Sequence, residues 1–141
     1  MSNTKQVIVM RTDLNMRKGK MIAQGSHASM AFLTRDANVD IEGYVLPKSN
    51  DATFTKSLNL DFAKEVDEWM ENSFTKICLQ VNSEAELDEI YTKAKEAGLT
   101  VHIVIDSGKT EFNGVPTKTC LAIGPHYSDK IDPVTKHLKL L

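Results

Sequence analysis

The stretch FTKICLQVNSEAELDEIYTKAKEAGLTVHIVI, residues 74–105, decides the fold of this chain. Phe74–Val81 alternates apolar and polar side chains with the period of a half-buried strand, and Thr100–Ile105 is a second strand-like run. Between them, Ser83 followed three residues later by Glu86 matches a capping box, which predicts the start of a helix. The apolar residues of that helix recur at helical spacing: Leu87, Ile90, Tyr91 and Ala94. A strand, a helix and a strand in this order predict an α/β fold with helical crossovers.

The segment before this unit predicts one more strand and two more helices. Lys5–Met10 is a short apolar strand, and apolar residues at steps of three and four from Met21 to Leu33 predict a helix that begins near Lys20. A second helix is marked by Phe62, Val66, Trp69 and Met70. Asp36–Lys56 has turn residues and no sustained period, so we expect an extended loop at about residues 34–56, either a lid or binding loop or a disordered decoration.

The segment after this unit predicts a fourth strand, Lys118–Gly124, and a closing helix over Ser128–His137. The connection Asp106–Thr117 shows no helical period, so the strands on either side of it are expected to be antiparallel neighbours. A chain of 141 residues suits one domain. We therefore expect a single α/β domain over residues 1–141, with a mixed four-stranded sheet covered by helices on both faces in the order β-α-α-β-α-β-β-α.

The net charge of −2 hides an uneven distribution along the chain. Residues 1–35 carry six basic side chains and one acid, a net +5, whereas residues 36–99 carry fourteen acids and six lysines, a net −8. Residues 100–141 have five lysines and four acids, a net +1. A polyanion would be attracted to the first segment and repelled by the second, although a solvated charged surface is the simpler interpretation.

Several classes of protein and site find no support in the sequence. The longest apolar runs, such as Val7–Met10, have four residues, and the N-terminus shows no signal peptide, so we expect a cytoplasmic protein without a membrane span. Cys78 and Cys120 are too few for a disulfide scaffold or a four-cysteine zinc site, and we expect both to be reduced, buried strand residues. The four histidines have no metal-ligand spacing, so no metal is predicted.

Two loops follow the carboxyl ends of predicted strands, which is where ligands bind in open α/β folds. The first brings Arg17, Lys18 and Lys20 to a helix N-terminus, which favours an anion, although a solvated basic turn would look the same. The second begins with Asp106, which is a candidate base or water-orienting group, although an aspartate that caps a turn is more common. His27, three residues after Gln24, either faces this site or bonds to the backbone.

Six separate stretches give the chain a family resemblance. VIVMRTDL at residues 7–14, followed by MRKGKMIAQ at 16–24 and SHA at 26–28, closely resembles the second, archaeal and eukaryotic family of peptidyl-tRNA hydrolases. DSGKT at 106–110, TKTCLAIGP at 117–125 and the C-terminal residues 131–141 are similar to the remaining motifs of that family, in the same order. The resemblance covers nearly the whole chain except residues 34–56.

The resemblance implies a metal-independent hydrolase without cofactors, usually a homodimer, that cleaves the ester between a peptide and the 3′-terminal ribose of tRNA. Its functional residues match Lys20, Asp106, Thr110 and Thr119 of this chain. Side chains expected to contact the substrate are those nearby: Arg11, Arg17, Lys18, Gln24, His27, Lys109 and Glu111.

Two residues depart from the family pattern. Glu111 stands where the family usually has Gln, which places an acid near a site for polyanionic RNA, and Ile22 stands where it usually has Ala, which is expected to alter the packing of the first helix. Two alternatives therefore stay open beside the hydrolase: a non-catalytic relative that binds RNA or a protein partner, and an esterase for a small acyl ester.

Overall fold

A computed structural model describes residues 3–36, 38–45 and 54–141 of the chain. Within these ranges, only the backbone is described for residues 35–36, 38–45 and 54–61. The strands are β1 (Thr4–Arg11), β2 (Asn38–Val45), β3 (Phe54–Asp61), β4 (Lys76–Val81), β5 (Val101–Asp106), β6 (Thr117–Tyr127) and β7 (Lys139–Leu140). The helices are α1 (Lys18–Ala31), α2 (Lys64–Glu68), α3 (Glu84–Glu96) and α4 (Ser128–Thr135). Helices α1 and α2 each continue into a wider π-type turn, Phe32–Asp36 and Trp69–Ser73 respectively.

Five of the strands form one mixed sheet in the order β5-β6-β1-β4-β7. Strands β1 and β4 are parallel, β6 is antiparallel to both β1 and β5, and β7 is antiparallel to β4. The α/β class, the parallel first pair and the antiparallel pair β5–β6 are as the sequence predicts. The prediction of four strands is wrong, because the short C-terminal strand β7 adds a fifth to the edge.

The stretch predicted as an extended loop contains all of β2 and the first three residues of β3. Strands β2 and β3 pair along their whole length as an antiparallel two-stranded sheet, from Asn38 opposite Asp61 to Val45 opposite Phe54. The alternation of Val39, Ile41 and Val45 with polar residues is the period of a strand, which Gly43 interrupts. The predicted order of elements is corrected accordingly, and residues 46–53 of the expected loop lie outside the described part.

Helices cover both faces of the large sheet, as predicted. On one face, α3 and α4 bury Leu87, Ile90 and Ile131 against β1, β5 and β6. Burying a leucine side chain completely, as at Leu87, stabilises the folded state by about 1.5–3 kcal/mol relative to leaving it exposed. On the other face, Ala28 of α1 packs among Ile8, Met10, Met16, Cys120 and Ala122. The side chain of Ile22 is 70% exposed and lines an open groove beside α1, so the effect of its bulk on the packing of this helix stays a prediction.

The topology brings the ends of β1 and β5 to one edge of the sheet. Both strands are antiparallel to β6, which lies between them, so they run in the same direction and end at the same end of the sheet, at Arg11 and Asp106 on either side of β6. Helix α1 begins at the same edge, after the turn that follows β1. The first turn of α1 therefore faces the end of β5, although the two segments are far apart in the sequence. No helix among the described residues is long and apolar enough to cross a membrane.

Candidate functional site

An ion pair between Lys20 and Asp106 lies at this edge of the sheet. Lys20 stands in the first turn of α1 and donates from Nζ to Asp106 Oδ1 at 2.9 Å, with side chains that are 15% and 14% exposed. The same ammonium lies 3.4 Å from Oγ1 of Thr110. Because the N-terminal end of a helix disfavours a cation, the carboxylate at the end of β5 provides the charge that holds the lysine there. The predicted lysine and aspartate thus meet in one place.

Asp106 is surrounded by donors. The backbone N–H of Gly108 donates to Oδ2 at 2.9 Å, and Nε2 of Gln24 donates to Oδ1 at 3.3 Å. The hydrogen bond from Lys20 is the largest of the effects that lower the pKa of Asp106, followed by the bond from Gly108, while burial opposes them. The carboxyl group is therefore ionised at neutral pH and accepts hydrogen bonds.

Gly108 makes this arrangement possible through its backbone conformation. Its φ is +80°, and a Cβ at this position would lie 2.2 Å from the carbonyl oxygen of Val115. Only glycine fits this close approach without shifting the loop. The loop therefore returns its N–H to the carboxylate directly after the end of β5.

A buried hydrogen bond fixes the side chain of Gln24. Thr119 on β6 is fully buried and donates from its hydroxyl to Gln24 Oε1 at 2.5 Å, and Gln24 is itself 2% exposed. An ionised carboxylate only accepts, so the Gln24 amide must turn its nitrogen toward Asp106 and its oxygen toward Thr119. The thiol of Cys120 donates to the backbone oxygen of Gln24 at 3.3 Å, and burial raises the pKa of that thiol to about 12. Thr119 thus contacts Asp106 through Gln24.

Arg11 lies at the same edge but is occupied by other contacts. Its guanidinium donates to both carboxylate oxygens of Asp13, at 3.1 and 2.7 Å, and to the backbone oxygen of Lys118 at 2.9 Å. It is 8% exposed, and the hydrogen bond with Asp13 raises the pKa of Arg11. In this structure Arg11 joins β1 to β6 through three of its five N–H donors, and its role toward RNA stays a prediction.

The other predicted basic residues are exposed. Arg17, Lys18 and Lys109 lie on the surface and make no side-chain hydrogen bond or ion pair with any described residue. His27 is exposed on α1 and likewise has no such bond within the described segments. These side chains are available to a ligand, and their roles remain predictions. Nor do three or more potential metal-binding side chains come together among the residues that the structure describes.

A cleft of about 430 Å³ opens beside the ion pair. It is lined by Leu14, Asn15, Arg17, Thr110, Glu111 and Phe112. Lys20 Nζ lies 5.7 Å from the centroid of the Phe112 ring and 3.4 Å from Thr110 Oγ1, so two lining residues of the cleft are close to the ion pair. Phe112 lines this cleft and was not singled out from the sequence, where its position two residues after Thr110 is the one signal that could have indicated it.

Comparisons with known proteins identify the family of the chain. A family model described as "Peptidyl-tRNA hydrolase PTH2" matches residues 4–141. The chain is 40% identical over 137 residues to the peptidyl-tRNA hydrolase of Methanocaldococcus jannaschii, covering 97% of this chain and 99% of that one. It is 38% identical to the peptidyl-tRNA hydrolase of Methanothermobacter thermautotrophicus, covering 97% and 99%, and 39% identical to a probable peptidyl-tRNA hydrolase 2 of Dictyostelium discoideum, covering 96% and 54%. The chain therefore belongs to the peptidyl-tRNA hydrolase PTH2 family.

Proposed function

We propose that this chain hydrolyses the ester bond that joins a peptide to the 3′-terminal ribose of tRNA. Family membership supports the substrate, and the 2.9 Å ion pair between Lys20 and Asp106 is the observation that carries the chemistry. The pair combines an ionised oxygen acceptor with a cation, the two groups that ester hydrolysis needs for water and for the oxyanion. No step of this reaction requires a metal or an organic cofactor.

Asp106 orients the attacking water. The carboxylate accepts a hydrogen bond from the water, and takes its proton as the water oxygen bonds to the ester carbon. Lys20 stabilises the negative charge that develops on the carbonyl oxygen. The carbon–oxygen bond to the ribose then breaks, and the ribose oxygen takes the proton back from Asp106, which yields a free peptide acid, a free 3′ hydroxyl and the ionised Asp106 carboxylate. Removing an electrostatic donor of this kind commonly costs about 100- to 1,000-fold in rate.

The exposed cations near the site attract the RNA backbone. Arg17 and Lys18 precede the ion pair on α1, and Lys109 follows it in the loop after β5, all on the surface. Phosphate contacts from such side chains give affinity that falls with salt. Because the whole chain carries a net charge of −2, the affinity depends on these few residues and is expected to be modest.

We further propose that the chain is a single-domain cytoplasmic homodimer, in line with the family resemblance and with a substrate produced in translation. An open apolar groove of about 700 Å³ between α1 and β4, with the exposed side chains of Ile22, Met30 and Phe74, is the surface that a second copy would cover. Sedimentation equilibrium of the wild type and of Ile22→Asp tests this, because only the wild type is expected to sediment as a dimer. A wild-type monomer would contradict it.

The function is tested by incubating the purified protein with an N-acetylated aminoacyl-tRNA and with a simple acyl ester. Release of free tRNA, abolished in Lys20→Ala and Asp106→Asn but kept in Lys139→Ala, is the expected result, since Lys139 is exposed on β7. Cleavage of neither substrate would indicate a binding module, and preference for the simple ester would indicate an esterase. Full activity of both site variants, correctly folded by circular dichroism, would refute the assigned chemistry.

A further inference from the structure

We propose that the cleft beside the ion pair, lined by Phe112 and Glu111, binds the adenine of the 3′-terminal nucleoside. Phe112 provides the stacking surface, and Glu111 accepts a hydrogen bond from the N6 amine. The inference rests on the proposed function and names the subsite for the alcohol side of the ester.

The position of the cleft is the first argument. Thr110 lines the cleft and lies 3.4 Å from Lys20 Nζ, and the Phe112 ring centroid lies 5.7 Å from the same atom. An ester that reacts between Lys20 and Asp106 has its ribose on one side and its peptide on the other. The side that enters this cleft therefore lies next to the ion pair.

The chemistry of the lining favours the nucleoside side. The ends of single-stranded RNA are recognised by stacking on aromatic rings or arginine planes and by hydrogen bonds to base edges. The cleft supplies an aromatic ring in Phe112, a planar guanidinium in Arg17 and an acceptor in Glu111. A volume of about 430 Å³ leaves room for a purine base. A peptide varies from one substrate to the next, whereas the terminal base is constant and suits such defined contacts.

The unpaired state of Glu111 is the second argument. Its side chain is exposed and makes no hydrogen bond or ion pair with any residue in the described ranges. A free carboxylate beside a polyanion is repulsive unless the ligand brings it a donor. Adenine carries such a donor at N6, and carboxylates accept hydrogen bonds from exocyclic base amines in the same way. Glu111 thus discriminates between bases, while Arg17 is free for the preceding phosphate.

The experiment compares two N-acetylated aminoacyl-tRNAs that end in adenosine or in inosine, which has a carbonyl oxygen in place of the N6 amine. For the wild type we expect kcat/KM to be about 10- to 100-fold higher with adenosine, since the hydrogen bond involves a charged group. Glu111→Gln should reduce this ratio to about threefold or less, because an amide also donates to the inosine oxygen. Glu96→Gln, an exposed acid at the end of α3, should leave the ratio unchanged.

Phe112 is tested with a matched pair of substitutions. Phe112→Leu should raise KM for the adenosine substrate by about 5- to 100-fold, whereas Phe112→Tyr keeps the ring and should stay close to the wild type. An adenosine-to-inosine ratio that is the same in the wild type and Glu111→Gln, or an unchanged KM in Phe112→Leu, would overturn the inference.

A binding measurement separates this inference from the proposed function. Adenosine 5′-monophosphate, added to the wild type at millimolar concentration, should shift the NMR resonances of the Phe112 ring and of the Glu111 backbone more than inosine 5′-monophosphate does. This readout does not depend on hydrolysis. A wild type that cleaves no acylated tRNA but shows these shifts would refute the proposed function alone, and an active wild type without them would refute the subsite alone.

Discussion

Thr119→Val tests how the buried hydrogen bond between β6 and α1 supports Asp106. Valine has nearly the shape of threonine but lacks the hydroxyl that donates to Gln24 Oε1 at 2.5 Å. Because Gln24 is 2% exposed, its oxygen then loses its donor without gaining access to water. A buried acceptor without a partner costs about 1–3 kcal/mol, so the free energy of unfolding should fall by that amount.

The substitution should also change catalysis. Without Thr119 the Gln24 amide is free to rotate, and its donation to Asp106 at 3.3 Å is weakened. That bond is among the effects that lower the pKa of Asp106, so the pKa rises part of the way toward its ordinary value while Lys20 and Gly108 remain in place. Since Thr119 is fully buried and does not reach the substrate, we expect kcat to fall by about 10- to 100-fold with little change in KM.

The pH dependence of stability follows from the sign of that pKa shift. A carboxyl whose folded pKa lies below its unfolded value stabilises the folded state above the unfolded pKa, near 4, and loses this contribution as the pH falls through the folded pKa. In Thr119→Val, the loss of unfolding free energy that comes from the raised pKa of Asp106 is therefore fully present at pH 7 and disappears in acid. The part that comes from the unpaired Gln24 oxygen does not depend on pH.

The measurements are urea unfolding at pH 7 and pH 3, and the pH dependence of kcat. Thr119→Ser keeps a hydroxyl and should restore both quantities. Thr135→Val removes a buried hydroxyl from α4, which bonds Ile131 at 3.5 Å, and should lower stability without moving the pH profile. If Thr119→Val keeps the wild-type kcat and the wild-type fall of kcat at low pH, the hydrogen bonds from Thr119 through Gln24 to Asp106 have no part in the reaction.

Three further outcomes follow from the charges and burial at the site. Lys20→Met should lower kcat by about 100- to 1,000-fold and, since Lys20 is the largest cause of the lowered pKa of Asp106, should raise that pKa in a carboxyl NMR titration; an unmoved titration would contradict this. In the folded Ile22→Asp variant, which is expected to leave the groove uncovered, iodoacetamide should modify the exposed Cys78 and spare Cys120, whose pKa burial raises to about 12; mass spectrometry checks the site, and equal labelling would contradict it. Lys18→Gln should reduce the slope of log Kd against log salt for tRNA by about 0.7, and an unchanged slope would exclude a phosphate contact.

The central part of the fold was predictable because its signals are local. The capping box at Ser83, confirmed by the 3.0 Å bond from the Glu86 N–H to the Ser83 hydroxyl, fixes where α3 begins. The alternation of apolar residues then indicates where the strands end. Because Lys20 and Asp106 follow two of these ends, the same pattern indicates that both lie at the carboxyl ends of the strands. By contrast, β7 has two residues and depends on pairing with Gln80 and Leu79, so no local period could reveal it.

Other features depend on tertiary contacts that the sequence does not encode locally. Thr119 and Gln24 are 95 residues apart, and only the crossing of α1 over β6 brings them together. Cys78 was expected to be buried, and this is wrong: Ile77 and Leu79 point to the face that α3 covers, whereas Cys78 points to the opposite face and is exposed in the open groove beside α1. Period two tells which residues share a face of a strand, but not whether a helix covers that face.

The distribution of ion pairs explains how a chain with a net charge of −2 can present a positive site. Acids of the middle segment are matched by nearby bases at 3.0–3.8 Å: Glu68 with Lys64, Glu89 with Lys93, Asp88 with Lys118 and Glu65 with His126. Arg17, Lys18 and Lys109 have no such partner among the described side chains, so their field reaches the solvent beside the ion pair. Glu111 is the acid that interrupts this field at the cleft. Glu111→Gln should therefore strengthen binding of a tRNA that lacks its terminal adenosine, because only the repulsion is relieved there, while it reduces discrimination at the terminal base of the complete tRNA; these two effects separate an acid that reads a base from one that only repels phosphate.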